Sequence, residues 1–302
     1  METGAIPRSA IAGPFDLQAT LESGQTFRWT REEGRTYLDP APRGGEQWYR
    51  VVLDDGPVAV RQTEAAIEWR ATGDATDALR RRLRLDEEMA AAVDALPDDP
   101  LPRAAASAFP GLHVVSEPFF PTLVSFILSA QMRVERIHDL VGRLSDRYGR
   151  AHEFDGETVH AYPTPEQLAA ATESELREMG LGYRAPYVVE TTRMVADGDL
   201  GREDVAGMGY EDARSRLTEF VGVGEKVADC VLLFSFEATE PVPLDTWIRR
   251  AIDEHYPEVE QSNYDETSRD IRARLGPEPG VAQTYVFHYL RHREHLAESP
   301  AD

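Results

Sequence analysis

The sequence predicts an α+β protein, with an N-terminal antiparallel β domain over residues 1–105 followed by a mostly helical region over 106–302. Three observations carry this reading. The first hundred residues alternate apolar and polar positions between Gly/Pro turns, the period of half-buried strands. From about Leu85 the apolar spacing becomes that of helices. Within the second region, at about 210–237, two helical patterns flank a Gly-x-Gly turn, which makes a helix–hairpin–helix.

Phe15, Leu17, Ala19 and Leu21 alternate with polar or small residues, so residues 15–21 are expected to be a strand. Ser23-Gly24-Gln25 turns the chain into a second strand, Thr26-Phe27-Arg28-Trp29. Residues 48–53 and 58–60, joined by Asp54-Asp55-Gly56-Pro57, read as a β-hairpin. Residues 64–69 and 75–84 carry weaker signals. Arg80, Arg81, Arg82 and Arg84 form the densest basic run; with Asp86, Glu87 and Glu88 beside it, it reads as a solvated face.

In the helical region, Leu123, Ile127, Val134, Ile137, Val141 and Leu144 recur at helical intervals over 121–148. Thr164-Pro165-Glu166-Gln167 and Thr172-Glu173-Ser174-Glu175 are capping boxes, the first with proline at the first helical position. Gly180-Leu181-Gly182 ends the second of these short helices, and Pro186 opens the next, toward Gly198. A helix over 210–220 stops at Val221-Gly222-Val223-Gly224 and another runs from 225 to 236.

The charge balance is unusual. Fifty-four acids against 32 bases give a formal charge of -22, which excludes a generic basic nucleic-acid binder. Only one of the 32 bases is a lysine, Lys226; the others are arginine. Such a composition is expected of a halophile's protein working in molar salt, where the Debye length is about 3 Å and acidic self-repulsion is screened. Cys230 is the only cysteine, which excludes a disulfide framework and cysteine-held zinc or iron–sulfur clusters. No apolar run approaches a membrane span and the first 17 residues carry no signal core. The expectation is a soluble, cytoplasmic, nucleoid-associated monomer with no membrane partner.

The lone lysine lies inside the strongest motif. A lysine can shed its proton in a desolvated site and attack carbon, whereas arginine stays charged. Phe220-Val221-Gly222-Val223-Gly224-Glu225-Lys226-Val227-Ala228-Asp229-Cys230 places it in the first turn of the second hairpin helix, with Cys230 one turn on along the same face. The glycines permit close backbone approach, and N–H groups at the new helix N-terminus can face a phosphate. Such a hairpin holds DNA through main-chain donors and needs no basic surface. Asp245, after the extended Pro241-Val242-Pro243-Leu244, is expected to cap a helix starting at Thr246, whose dipole would keep the carboxylate ionised.

These residues resemble the 8-oxoguanine DNA glycosylase/lyases of the helix–hairpin–helix (HhH-GPD) superfamily. The resemblance runs from about Phe15 to Arg293. The family hallmark Gly-Val-Gly-x-Lys-Val-Ala-Asp-Cys is complete at 222–230, and residues 23–29 resemble its N-terminal signature. Ser125-Phe126-Ile127-Leu128-Ser129 resembles the helix leading to its lesion pocket, and residues 180–185 its intercalating loop.

The resemblance implies a base excision repair enzyme that acts on oxidised purine in duplex DNA. Lys226 would attack the sugar C1′ and form a Schiff base, with β-elimination to follow. Asp245 would stabilise the developing oxocarbenium charge and assist the amine. Gly24 would read the N7 proton of 8-oxoguanine with its carbonyl, Cys230 and Phe287 would sandwich the flipped base, and Gln283 would bind its Watson–Crick edge. Tyr183 and Arg184 would enter the duplex opposite the lesion, helped by Arg136, and Gly222, Val223 and Gly224 would hold the backbone. No metal or organic cofactor is implied; a structural monovalent cation at the hairpin is compatible with the motif. Where the family has asparagines, this chain has Gln131, Met132 and Arg133; where it has a phosphate-contacting histidine, Trp247 stands.

An alkylpurine glycosylase of the same superfamily is the alternative enzyme, although such enzymes usually lack the lysine. A non-catalytic helix–hairpin–helix DNA-binding protein explains the hairpin but not the Lys226/Asp245 pair. His288, His292 and His295 have helical spacing without an acidic or cysteine partner and read as a plain terminal helix; Tyr285, Phe119 and Phe120 read as core.

Overall fold

A computed structural model describes residues 1–38 and 46–298, with side chains described as far as Arg293. Its N-terminal sheet has five antiparallel strands: β1 (Glu2–Pro7), β2 (Thr30–Arg31), β3 (Tyr49–Leu53), β4 (Gly56–Gln62) and β5 (Ala66–Ala71), in spatial order β1-β5-β4-β3-β2. The expected hairpin is β3–β4, paired from Tyr49↔Val60 to Leu53↔Gly56. Along β5, Ile67, Trp69 and Ala71 point inward. The Trp69 ring lies against β1 at Gly4, where a Cβ would stand 2.2 Å from it, so that contact needs glycine.

Three strand expectations are corrected. Residues 15–21 are not a strand: Leu17–Leu21 is a helix, and the Asp16 carboxylate caps it by accepting the Ala19 N–H at 2.9 Å. Leu17, Ala19, Thr20 and Leu21 are all buried, so no clean face existed for the period to report. Residues 26–29 form no ladder, because their side chains converge instead on one buried carboxylate. Glu117 accepts from Thr26 Oγ1 at 2.9 Å, Arg28 Nη1 at 3.0 Å and Trp29 Nε1 at 2.9 Å. The weak 75–84 signal is the helix Thr76–Leu83, which buries Leu79 and Leu83 against the sheet.

The second core is helical. Phe119–Leu128 packs against Glu225–Ser235 and Ala185–Ala196, with Leu123, Val124, Leu128, Val188, Val231 and Leu233 fully buried. Tyr285, Phe119 and Phe120 are core residues, as expected. The 121–148 pattern is split into two helices, Phe119–Leu128 and Val134–Tyr148, because Gln131 takes a left-handed φ of 52° between them. Both capping boxes form, Thr164 with Gln167 and Thr172 with Glu175. A short hairpin that the sequence reading lacks, β6 (Ala151–Phe154) with β7 (Glu157–His160), precedes them. Its signal was Asp155-Gly156, both at positive φ, 54° and 81°, as a two-residue hairpin turn requires. Among the described residues, no helix is long and apolar enough to cross a membrane.

Candidate active site

The glycine hairpin works by close approach. Gly222 has φ +84°, and a Cβ there would stand 2.6 Å from Tyr187 Cβ, so the turn seats against the helix Ala185–Ala196 only with glycine. Thr191 Oγ1 ties the turn down by donating to the Val221 carbonyl at 2.8 Å, and buried Val223 donates its N–H to the Phe220 carbonyl at 3.1 Å. Gly224 is the extended N-cap of Glu225–Ser235, and space around it is open. The first N–H groups of that helix therefore face outward beside an exposed, glycine-edged turn.

Lys226 stands in the first turn of this helix and is half-buried. Its Nζ donates to Ser129 Oγ at 3.0 Å and lies 5.4 Å from the centre of the Phe126 ring. Ser129 is the C-cap of Phe119–Leu128, so the end of the most buried helix holds the amine in place. Cys230, one turn on, is 3% exposed. Burial pushes its thiol up to about 12, against the pull of the Lys226 charge, so the side chain stays neutral.

Asp245 caps Thr246–His255, its Oδ1 accepting the Ile248 N–H at 2.8 Å. The cap is as expected, and its N–H groups favour the ionised carboxylate, but burial acts against them. Burial raises the carboxyl above its ordinary value, outweighing the Lys226 charge, the Ile248 and Trp247 N–H groups and Arg291, which all pull it down. Trp247 itself is half-buried and packs on the helical core.

Gly24 and Phe287 meet although they come from opposite ends of the chain. Gly24 has φ +89°, and a Cβ there would stand 3.0 Å from Phe287 Cε1 and 3.5 Å from Val134 Cγ1. Gln283, one turn before Phe287 on Pro279–Glu298, is buried and donates from Nε2 to Thr284 Oγ1 at 2.8 Å. One turn after Phe287, on the same face, is a residue the sequence reading missed. The Arg291 guanidinium lies 5.6 Å over the Phe287 ring and 5.7 Å over Tyr37, and its Nη1 donates to the Glu22 carbonyl at 3.4 Å. Helical spacing from Gln283 and Phe287 was its one available signal.

The remaining expected DNA contacts gather nearby. Tyr183 is half exposed, its ring 4.3 Å from the Arg184 guanidinium. Arg184 is buried and donates from Nη2 to the Ala130 carbonyl, so it anchors the turn bearing exposed Gln131. Arg136 pairs with Asp139 and lies against Gly180, where a Cβ would be 2.5 Å from its Nη2. The structure thus brings Gln131, Arg136, Tyr183 and Arg184 to one edge. On the last helix, the His288 and His292 rings lie tilted with centroids 4.4 Å apart, and His288 meets Phe109 edge-on at 4.2 Å; the His295 side chain lies outside the described residues. Among the described residues, no three His, Cys, Asp or Glu side chains gather as a metal site.

A β domain leading into a helical bundle, with a lysine at a glycine hairpin, defines a class that comparison with known proteins identifies. The chain belongs to the HhH-GPD superfamily of base excision DNA repair proteins, whose pattern matches residues 124–277. Within it, residues 9–123 match the N-terminal domain of 8-oxoguanine DNA glycosylase. The chain is 31% identical over 312 residues to a probable N-glycosylase/DNA lyase of Methanothermobacter thermautotrophicus, covering 92% of this chain and 94% of that protein. It is 33% identical over 265 residues to the N-glycosylase/DNA lyase of Saccharomyces cerevisiae, covering 80% and 68%. The apo structure of Clostridium acetobutylicum 8-oxoguanine glycosylase/lyase superposes with a TM-score of 0.81 at 25% identity, over 96% of this chain and 100% of that one.

Proposed function

We propose that this protein is a bifunctional DNA glycosylase/AP lyase that removes 8-oxoguanine from duplex DNA in strong salt. The observation that carries the reading is the Lys226 amine, half-buried at the hairpin and held on Ser129 beside Cys230, with Asp245 close enough for the two charges to act on each other.

A base within the duplex is out of reach, so the target nucleotide swings out, at a cost of about a few kcal/mol. Tyr183 fills the gap it leaves, and Arg136 and Gln131 face the unpaired partner. The purine enters between Cys230 and Phe287, with the Gly24 carbonyl accepting the N7 proton and Gln283 turned toward the Watson–Crick edge. Lys226 sheds a proton and attacks C1′ as the free amine; the bond to N9 breaks and the base departs with the electron pair, taking up the proton that Lys226 gave up. Ionised Asp245 offsets the positive charge that builds on the sugar. Opening of the sugar ring gives a protonated imine on Lys226. Loss of a C2′ proton then expels the 3′ phosphate by β-elimination, and water frees the enzyme. Backbone donors at 222–225 and stacking supply DNA affinity that a surface of net charge -22 cannot.

A panel of duplexes, each with one lesion, tests this at low and molar potassium chloride. Release of 8-oxoguanine opposite cytosine, with strand cleavage, is the expected result. Release of alkylated purine alone would assign the alkylpurine activity, and binding without release would leave a DNA-binding module.

A further inference from the structure

The hairpin motif contains a carboxylate that the chemistry above does not use. Asp229 is fully buried, on the inner side of the helix that carries Lys226. Its Oδ1 accepts the Tyr210 hydroxyl at 2.7 Å and its Oδ2 accepts the Tyr264 hydroxyl at 2.7 Å. The Tyr264 oxygen in turn accepts the backbone N–H of Leu244 at 3.1 Å, one residue before Asp245. We propose that Asp229 is a positioning residue that fixes the Lys226 helix to the Asp245 cap through Tyr264. The inference rests on the roles given to Lys226 and Asp245 above.

Each bond in this chain has its polarity fixed. A phenol has one proton to give, and Tyr264 gives it to Asp229, leaving its lone pairs for the Leu244 N–H. Burial holds that phenol well above its ordinary value, so it remains a donor. The carboxylate must be ionised to accept both phenols at full strength. A neutral carboxyl would turn a donor toward one tyrosine and strand a buried phenol proton. Lys226 and Asp245 lie on different helices, and nucleophilic attack is sensitive to displacements of about 1 Å. A clamp between the two helices therefore acts on rate more than on DNA affinity.

The surroundings of Asp229 also give it a pH signature. Tyr210 and Arg214 face it from Tyr210–Leu217, Tyr264 and Arg272 from Tyr264–Leu275, and Cys230 lies on its own helix. Arg214 donates to the Tyr210 oxygen at 3.0 Å and is itself shared with Glu211 and Asp265; Arg272 pairs with Glu211. Burial lifts the Asp229 carboxyl to about 6, against both phenol bonds and the two arginines. The clamp is thus complete above that pH and relaxed below it.

Single-turnover base release, borohydride trapping and duplex binding, measured with the full chain from pH 5 to 8, test the proposal. Asp229→Asn is expected to slow base release about tenfold at pH 7.5 with binding within about twofold of the parent. The deficit should vanish toward pH 5, where the parent's own carboxyl is neutral. Tyr264→Phe, which keeps the carboxylate and breaks the bridge, should show the same slowing at pH 7.5, and the double variant should be no slower than Tyr264→Phe alone. If Asp229→Asn does not fold, Tyr264→Phe carries the test. No slowing at pH 7.5, an equal deficit at pH 5 and 7.5, or additive losses would overturn the proposal. Failure of the parent protein to release any base would instead strike the reading of Lys226 itself.

Discussion

Phe287 closes against Gly24: a Cβ at Gly24 would stand 3.0 Å from the ring, which would have to give way by a few tenths of an ångström. Gly24→Ala must accommodate a left-handed backbone, at roughly 1–2 kcal/mol, and push Phe287 toward the space proposed for the base. Single-turnover release of 8-oxoguanine should fall at least about tenfold while duplex affinity stays within about twofold. An unchanged rate would place the base elsewhere.

Asp245 sets the acid limb of activity. Its carboxyl is raised, mainly by burial, and the ionised form is the one that stabilises the sugar cation. A raised acid takes up its proton at a higher pH than an ordinary aspartate, so activity should be present above the shifted value and fall as pH drops through it. Asp245→Asn should remove its share of that limb, leaving the about tenfold fall that Asp229 causes, and lower the single-turnover rate by about 10²–10³. Rate–pH profiles of the two proteins at saturating enzyme would check both statements.

The hairpin, the lysine, the aspartate cap and the β-to-helix order were legible because each depends on local chemistry: glycine turns, capping side chains and apolar period. What was not legible depends on tertiary contact. Residues 26–29 read as a strand until Glu117 from the other region takes their donors. The raised Asp245 carboxyl reflects burial by elements distant in sequence. Arg291 sits on an expected pocket helix, but only folding brings Tyr37 and Glu22 to it. Ser129, quoted for its place in a motif, acquires a role once Lys226 reaches it.

Gln131 carries a local strain that can be relieved. It has φ 52°, a region that asparagine tolerates better than glutamine, and its side chain is exposed. Gln131→Asn should stabilise the fold by about 0.5 kcal/mol and raise Tm by about 1–2 °C. Thermal unfolding in constant salt would detect it, and a fall in Tm would mean that Gln131 makes contacts worth more than the strain.

Glu22 anchors the wall behind Gly24. Its carboxylate accepts from Arg31 at 2.5 Å and from the Tyr49 hydroxyl at 2.5 Å, with the Arg31 and Glu22 side chains 3% and 11% exposed. Glu22→Gln takes the Glu22 charge away from the buried Arg31 guanidinium and the Tyr49 hydroxyl, at a cost of about 3–5 kcal/mol. The urea midpoint should drop accordingly with the slope unchanged; a drop under about 1 kcal/mol would show that the Arg31 charge is balanced without Glu22.

The most direct measurement is reduction with borohydride during turnover on an 8-oxoguanine:cytosine duplex, followed by peptide mapping. Because the chain has a single lysine, the mapping has only Lys226 and the N-terminal amine to tell apart. The account predicts DNA linked at Lys226 in the parent protein, and no adduct but retained binding in Lys226→Gln. Base release without any trapped adduct, or an adduct that survives Lys226→Gln, would contradict it.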